Sequence, residues 1–362
     1  MTTAAGALAG MVLAEDSKVG EGVADKGAAK IEPGRIMTVT GPVGAEELGR
    51  TLMHEHVVVD FIGAGKDSLE RYDEEMAFET ALPHFQKLKE HGVRSVVECT
   101  PRHIGRHVAL LRRLSEASGV RIITNTGWYA AVNRKFLPPE AENETEERIA
   151  ERWLGEWREG IVAKGGKRTE PVVYPGFLKL GTGSGPLPGL EAKLVKAAAR
   201  AHRASGLTIA IHTGDGVAAL DEIRLLREAG VAPGALIWVH AMNDPGKGQI
   251  EAAKLGAWVS LDGYSLAPHN VLRFPDFLTA HRDAGTLHRV LLSHDDGWAV
   301  EGGAASNNKL ALFGNGNPAP YQSIFTRLLP DLRDKGFTDR DFDQLLVTNP
   351  REALTIRPRL TA

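Results

Sequence analysis

Residues 52–60 read LMHEHVVVD, an apolar, β-branched run that carries His54 and His56 two places apart. On a strand such residues point to the same side, so both imidazoles look into one space. Burying two imidazoles without partners is costly, whereas neutral imidazole is the commonest metal ligand. The stretch therefore predicts a metal site at the C-terminal end of a strand. A solvated surface strand would also accommodate one His-x-His pair, so the decision rests on its companions elsewhere in the chain.

Seven more runs of the same kind succeed it: SVVECT (95–100), RIITNTG (121–127), GFLKLG (176–181), TIAIHTG (208–214), LIWVHA (236–241), AWVSLDG (257–263) and RVLLSHD (289–295). Each is closed by a Gly-rich or polar turn and followed by an amphipathic segment of helical period. Leu190, Leu194, Ala198 and Ala201 share one such face, closed by Gly206; Leu220, Ile223 and Leu226 share another, closed by Gly230. Eight strands alternating with helices predict an α/β fold, a (β/α)8 TIM barrel. An open doubly wound sheet would want a Gly-rich phosphate loop after its first strand, and the sequence has none. The segment RIMTVTGPV (35–43) predicts a short N-terminal β-hairpin, and VTNPREALTI (347–356) a terminal helical turn behind the barrel.

A chain of 362 residues, 43% hydrophobic and 25% charged, can bury one large core, so residues 35–362 are expected to form a single domain. Lys and Arg total 43 against 46 Asp and Glu, a formal charge of −3, which gives no footing for nucleic acid or a polybasic membrane patch. A small-molecule partner fits better. The single cysteine, Cys99, excludes an internal disulfide and a thiolate zinc cluster and reads as a buried core residue. No stretch is long and apolar enough to span a bilayer. Residues 1–34 read as a flexible leader. Its first fourteen residues are small and apolar, with Val12 and Ala14 placed as a signal peptidase prefers, but there is no basic n-region. An exported or periplasmic location and a cytoplasmic one both stay open.

Parallel barrels carry their chemistry at the C-terminal strand ends. There the first strand gives His54 and His56, the fourth Lys179, the fifth His212, the sixth His240 and the eighth Asp295. Of the thirteen histidines, others such as His84, His91, His202, His281 and His288 lie on helical or loop stretches and are expected to be solvated. Four histidines, a lysine and an aspartate at equivalent strand ends argue against coincidence. His294 and Asp296 should face away from Asp295, with Asp296 the fallback ligand if the strand carries a bulge.

HEHV after the first strand, Lys179 in FLKLG, the IHTG and VHAMND segments, and SHD before a Gly-rich loop together resemble the phosphotriesterase family of the amidohydrolase superfamily. The resemblance runs from about Arg35 to VTNP near residue 350. It implies a binuclear site, usually zinc, with manganese, cobalt or iron also compatible with the donor set. His54, His56 and Asp295 would bind the more buried ion, and His212 and His240 the more exposed one. Lys179, carboxylated by carbon dioxide, would bridge the two together with a hydroxide. It also implies a homodimer. An unmodified ammonium at Lys179 would repel two dications, whereas a lysine in an apolar strand favours the neutral amine that captures carbon dioxide. The hydroxide would attack an ester-like bond in a lactone, carboxylic ester or phosphotriester, with Asp295 taking and returning the proton.

Two positions depart from the family pattern: Gly263 follows Asp262 where relatives carry His or Arg, and Asn243 stands where phosphotriesterase has an aspartate. The proton relay is therefore expected to differ. Trp128, Tyr129, Asp262 and Trp298 are the candidate substrate-binding residues, and the stretches at 264–277 and 297–322 the candidate lids. Arg102, His103 and Arg106 follow the second strand and could bind an anionic substrate group, but Arg106 and His107 are expected to begin a helix and meet solvent. An amide hydrolase, a mononuclear amidohydrolase and a barrel that binds without turnover are the alternative readings.

Overall fold

The computed structural model describes residues 33–163, 167–244, 247–302, 308–314 and 317–362. The expected leader, 1–34, lies outside the described residues except for its last two. Strands β1 (Arg35–Thr38) and β2 (Gly41–Gly44) form the antiparallel N-terminal hairpin, with Arg35 paired to Gly44 and Thr38 to Gly41.

The barrel strands are β3 (Arg50–Glu55), with the short extension β4 (Val58–Val59), then β5 (Val93–Glu98), β6 (Arg121–Ile123) continued by β7 (Asn125–Thr126), and β8 (Phe177–Gly181). They are completed by β9 (Thr208–His212), β10 (Leu236–Val239), β11 (Trp258–Leu261) and β12 (Val290–Leu292). Parallel pairing runs β3-β5-β6 and β7-β8-β9-β10-β11-β12. The ring closes beyond β12, where the Asp295 N–H donates to the His54 carbonyl at 3.1 Å and the His56 N–H to the Asp296 carbonyl at 2.8 Å.

Period-two alternation sorts the strand side chains. Phe177, Ala210, Ile237, Val97, Ile123 and Leu291 fill the barrel interior, while Leu178, Leu180, Ile209, Ile211, Val259 and Leu261 pack outward in the layer shared with the helices. Ile36 and Leu48 from the hairpin region, with Ala353 and Leu354 from the C-terminal segment, join the interior cluster and stop its N-terminal end. Each fully buried side chain of this size contributes about 1.5–3 kcal/mol. The apolar filling leaves the C-terminal end for polar groups.

Helices α1 (Glu74–Leu88), α2 (Val108–Ser118), α3 (Glu140–Asn143), α4 (Glu146–Glu159), α5 (Gly189–Ser205), α6 (Gly216–Glu228), α7 (Lys247–Leu255) and α8 (Pro268–Asp283) lie between the strands, and α9 (Leu329–Asp334), α10 (Asp339–Asp343) and α11 (Asn349–Leu354) end the chain. The α5 face expected from sequence is the buried one, and Gly206 ends it at φ 76°. A Cβ there would meet the Arg357 backbone at 2.8 Å, so both the left-handed turn and the close approach call for glycine. Asp215 starts α6 by accepting the Ala218 N–H at 2.9 Å. Among the described residues no helix is long and apolar enough to cross a membrane.

Several expectations need correction. Most of 264–277 is not a lid loop: α8 begins at Pro268, where proline suits a first helical turn. Within 297–322 the chain makes a β-hairpin of β13 (Gly297–Glu301) and β14 (Lys309–Phe313), with β13 also pairing parallel to β4. Arg106 is buried, not solvated, because Glu156 on α4 receives both its amino groups at 2.8 and 2.9 Å; the helix after it begins at Val108. His202 and His281 are likewise fully buried, each with a local partner for Nδ1: the Leu207 carbonyl and the Thr286 hydroxyl, both at 2.8 Å.

Candidate metal centre

The C-terminal ends of β3, β8, β9 and β10 and the turn after β12 bring His54, His56, Lys179, His212, His240 and Asp295 into the wall of one cavity of about 210 Å³. His54 and His56 put their Nε2 atoms 3.2 and 3.1 Å from the same oxygen, Asp295 Oδ1. The His54 ring lies 5.2 Å from His56 and 4.9 Å from His240, and His212 lies 4.5 Å from His240, centroid to centroid. A larger groove of about 610 Å³, with Lys89, Arg94 and Arg121 in its wall, contains none of these groups.

Two of the side chains are aimed by unusual backbone. His240 and Asp295 have φ of 61° and 62°, a left-handed conformation that non-glycine residues rarely adopt and that surrounding bonds must hold. At His240 the clamp is Asp262, buried on β11's C-terminal side, which accepts the backbone N–H at 3.1 Å and Nδ1 at 2.7 Å. At Asp295 it is Glu55, the residue between the two histidines. Glu55 Oε1 accepts the Ser293 hydroxyl, the His294 N–H and His294 Nδ1, and its Oε2 accepts the Asp296 N–H. Asp296, held by Asn317 and the Tyr321 N–H, is turned to that supporting layer.

The residues fit a cation. Asp295 Oδ1 is buried and has no hydrogen-bond partner among the described residues, although two imidazole nitrogens converge on it. Ligand atoms of His54, His240 and Asp295 all lie within 4.8 Å of one another. An orphaned carboxylate oxygen among imidazoles is costly unless positive charge occupies the site. Protonation differs around the site: burial would lower His54, but the neighbouring Cys99, Asp262 and Asp295 overcome it and raise that imidazole well above its usual range. Burial, then His240 and Lys179, hold His212 well below the usual imidazole range. Burial also lowers the Lys179 ammonium, whose Nζ donates to the Leu180 carbonyl at 3.4 Å and lies 5.5 Å from the Tyr129 ring centroid. Burial alone would raise Asp262 and Asp295, but the neighbouring imidazoles overcome it and hold both carboxyls well below the ordinary range.

Apolar side chains make the rest of the wall: Val59, Phe61, Cys99, Pro101, Ile104, Tyr129 and Phe313. Of the four candidate substrate residues, only Tyr129 is in the wall, its ring 5.1 Å from His212. Trp128 points instead toward Trp153, edge to face at 5.9 Å, because adjacent residues on extended backbone face opposite ways. Trp298 is buried between His84 and Tyr321, and Asp262 supports His240 from behind. Phe61 and Phe313, with ring centroids 5.2 Å apart, were not singled out by sequence reasoning. Phe313 comes from the β13–β14 hairpin, inside the stretch 297–322 expected to cover the site.

The phosphotriesterase family model matches residues 34–354. An N-acetyltaurine hydrolase from Tetraodon nigroviridis is 27% identical, over 90% of this chain and 99% of its own length. A phospho-furanose lactonase from Mycoplasmopsis agalactiae is 28% identical, over 90% and 93%. The solved organophosphorus hydrolase from Deinococcus radiodurans superposes with a TM-score of 0.74 at 27% identity, over 90% of this chain and all of the other.

Proposed function

Because this chain belongs to the phosphotriesterase family of hydrolases, we propose that it cleaves a neutral ester-like bond, in a lactone, carboxylic ester or phosphotriester, at two divalent cations. His54, His56 and Asp295 would hold one, His212 and His240 the other, and carboxylated Lys179 would join them. Bound there, the cations, zinc foremost, supply a water acidified to near neutrality and a Lewis acid for the substrate oxygen.

The chain's own groups do the rest. Asp295 stays ionised at neutral pH and borders the cavity, so it is placed to accept a proton from the attacking water and return it to the leaving group. Tyr129, Phe61 and Phe313 exclude water and strengthen electrostatic interactions inside. Asp262 keeps the His240 Nδ1 proton in place and leaves Nε2 free.

The observation that carries the substrate class is the wall itself. Among the described residues lining the cavity there is no arginine, and Lys179 is the one lysine, so apart from the cations themselves an anionic phosphate monoester or sulfonate would meet no second counter-ion in that wall. A neutral acyl or phosphoryl centre with apolar substituents matches those walls. Amide hydrolysis is the second reading, supported by the N-acetyltaurine hydrolase relative.

The test is a panel of neutral lactones, aryl esters, phosphotriesters and N-acyl amides, assayed on protein reconstituted with zinc, manganese or cobalt. Turnover of neutral esters with two metals per chain, and loss of metal on Lys179→Ala, is expected. One metal per chain with full activity in Lys179→Ala would refute the binuclear reading; turnover of amides alone would refute the ester reading. Metal bound with no turnover of any class would favour a binding role.

A further inference from the structure

Behind His56 lies a second polar chain that the catalytic scheme leaves unused. β5 ends at Glu98, followed by Cys99, Thr100 and Pro101. Glu98 and Thr100 are both buried. The Glu98 carboxylate accepts three donors: its Oε1 takes the Thr100 hydroxyl and the Val57 N–H, the latter at 3.3 Å, and its Oε2 takes the Thr100 N–H at 3.3 Å. Thr100 has one hydroxyl proton, and with Glu98 ionised it goes to Glu98 Oε1. The Thr100 oxygen can then only accept from His56 Nδ1, 2.8 Å away.

This arithmetic of donors fixes a tautomer. With its proton on Nδ1, His56 presents the Nε2 lone pair toward the point where His54 and Asp295 converge, with Nε2 3.1 Å from Asp295 Oδ1. The Asn125 side chain braces the relay by donating from Nδ2 to the Glu98 and Thr100 carbonyls, both at 3.1 Å, which ties the segment carrying the hydroxyl to β7. On the premise that the site holds metal, we propose that Glu98 and Thr100 form a positioning relay that locks His56 in its metal-binding tautomer and so sets the affinity of the ion held by His54, His56 and Asp295.

The measurement is zinc titration of the metal-free protein against a chromophoric chelator at pH 8.5, above the value of about 7 to which burial raises Glu98. Thr100→Val keeps the shape and removes the hydroxyl; Thr100→Ser restores it. Removing such a supporting partner weakens metal binding by about 10–100-fold. The proposal expects a loss of that size at one of the two sites in Thr100→Val, with Thr100→Ser within about threefold of the parent. Melting of the metal-free forms separates a structural role, which would lower stability and leave affinity alone. Parent-like zinc affinity in Thr100→Val, or equal losses in the Val and Ser variants, would overturn the relay. A parent protein that binds no zinc would overturn the metal reading instead.

Discussion

Exchanging Glu55 for glutamine removes one charge and keeps the side chain's size, so its effect follows from the hydrogen bonds alone. Oε1 accepts three donors, at 2.7, 3.0 and 2.7 Å, and Oε2 accepts the Asp296 N–H at 3.0 Å. Whichever way the new amide flips, its NH2 meets a donor. The better flip faces Asp296, so one bond to a carboxylate is lost and one backbone N–H is buried without a partner. His294 cannot compensate by turning its proton outward, because its Nε2 already accepts the Ile324 N–H at 3.1 Å. A hydrogen bond to a charged group contributes about 1.5–3 kcal/mol, and a stranded buried donor costs a similar amount. A destabilisation of about 3 kcal/mol is therefore expected in Glu55→Gln. With an unfolding entropy of about 0.7 kcal/mol/K for a domain this long, the melting temperature falls by roughly 4 °C. Asp295 sits inside this clamp at φ 62°, so zinc affinity should fall as well, by about tenfold or more. Calorimetry of the metal-free protein and chelator-competed zinc titration read the two effects. A melting temperature within about 1 °C of the parent, together with unchanged affinity, would show that the seam does not depend on Glu55.

Glu222 on α6 is buried and bonded to the Thr182 and Thr213 hydroxyls, and burial pushes its carboxyl up to about 8. The folded state therefore holds a proton that the unfolded chain releases above about 4.5. That contribution to stability is fully present below about 4.5 and is lost as pH rises toward 8, at up to about 1.4 kcal/mol per pH unit. Glu222→Gln should flatten this descent in urea midpoints measured between about pH 5 and 8; an unchanged slope would assign the proton elsewhere. Trp298→Ala should cost about 3–5 kcal/mol through the cavity it leaves, with KM on the folded enzyme unchanged, since Trp298 packs on His84 and Tyr321 away from the substrate space. Phe313→Ala should raise KM for apolar esters by roughly tenfold through lost wall contact, with the metal count kept. A KM effect in the tryptophan variant and none in the phenylalanine variant would reverse this assignment of the wall.

The eight strands were legible because each is a short, β-branched run closed by a turn, and each lies within a few residues of its expected bounds. The lid expectation at 264–277 failed for the opposite reason. Loop composition at 264–277 is rich in turn formers, yet Pro268 sits where a first helical turn tolerates it and the segment continues as α8. The solvated reading of His202 and His281 failed because helical spacing gives a face but not what covers it, and that of Arg106 because its partner, Glu156, lies fifty residues away on α4.

By itself the sequence determined the barrel and the six polar strand ends, since period-two alternation and strand position follow from covalent geometry along a few consecutive residues. Only the tertiary structure decided which groups support them. Glu55 meets Ser293, Thr100 meets His56 and Phe313 meets Phe61 across separations that no local pattern encodes. Those contacts exist because closing the ring brings distant strand ends within hydrogen-bond reach, and closure is a property of all eight strands together.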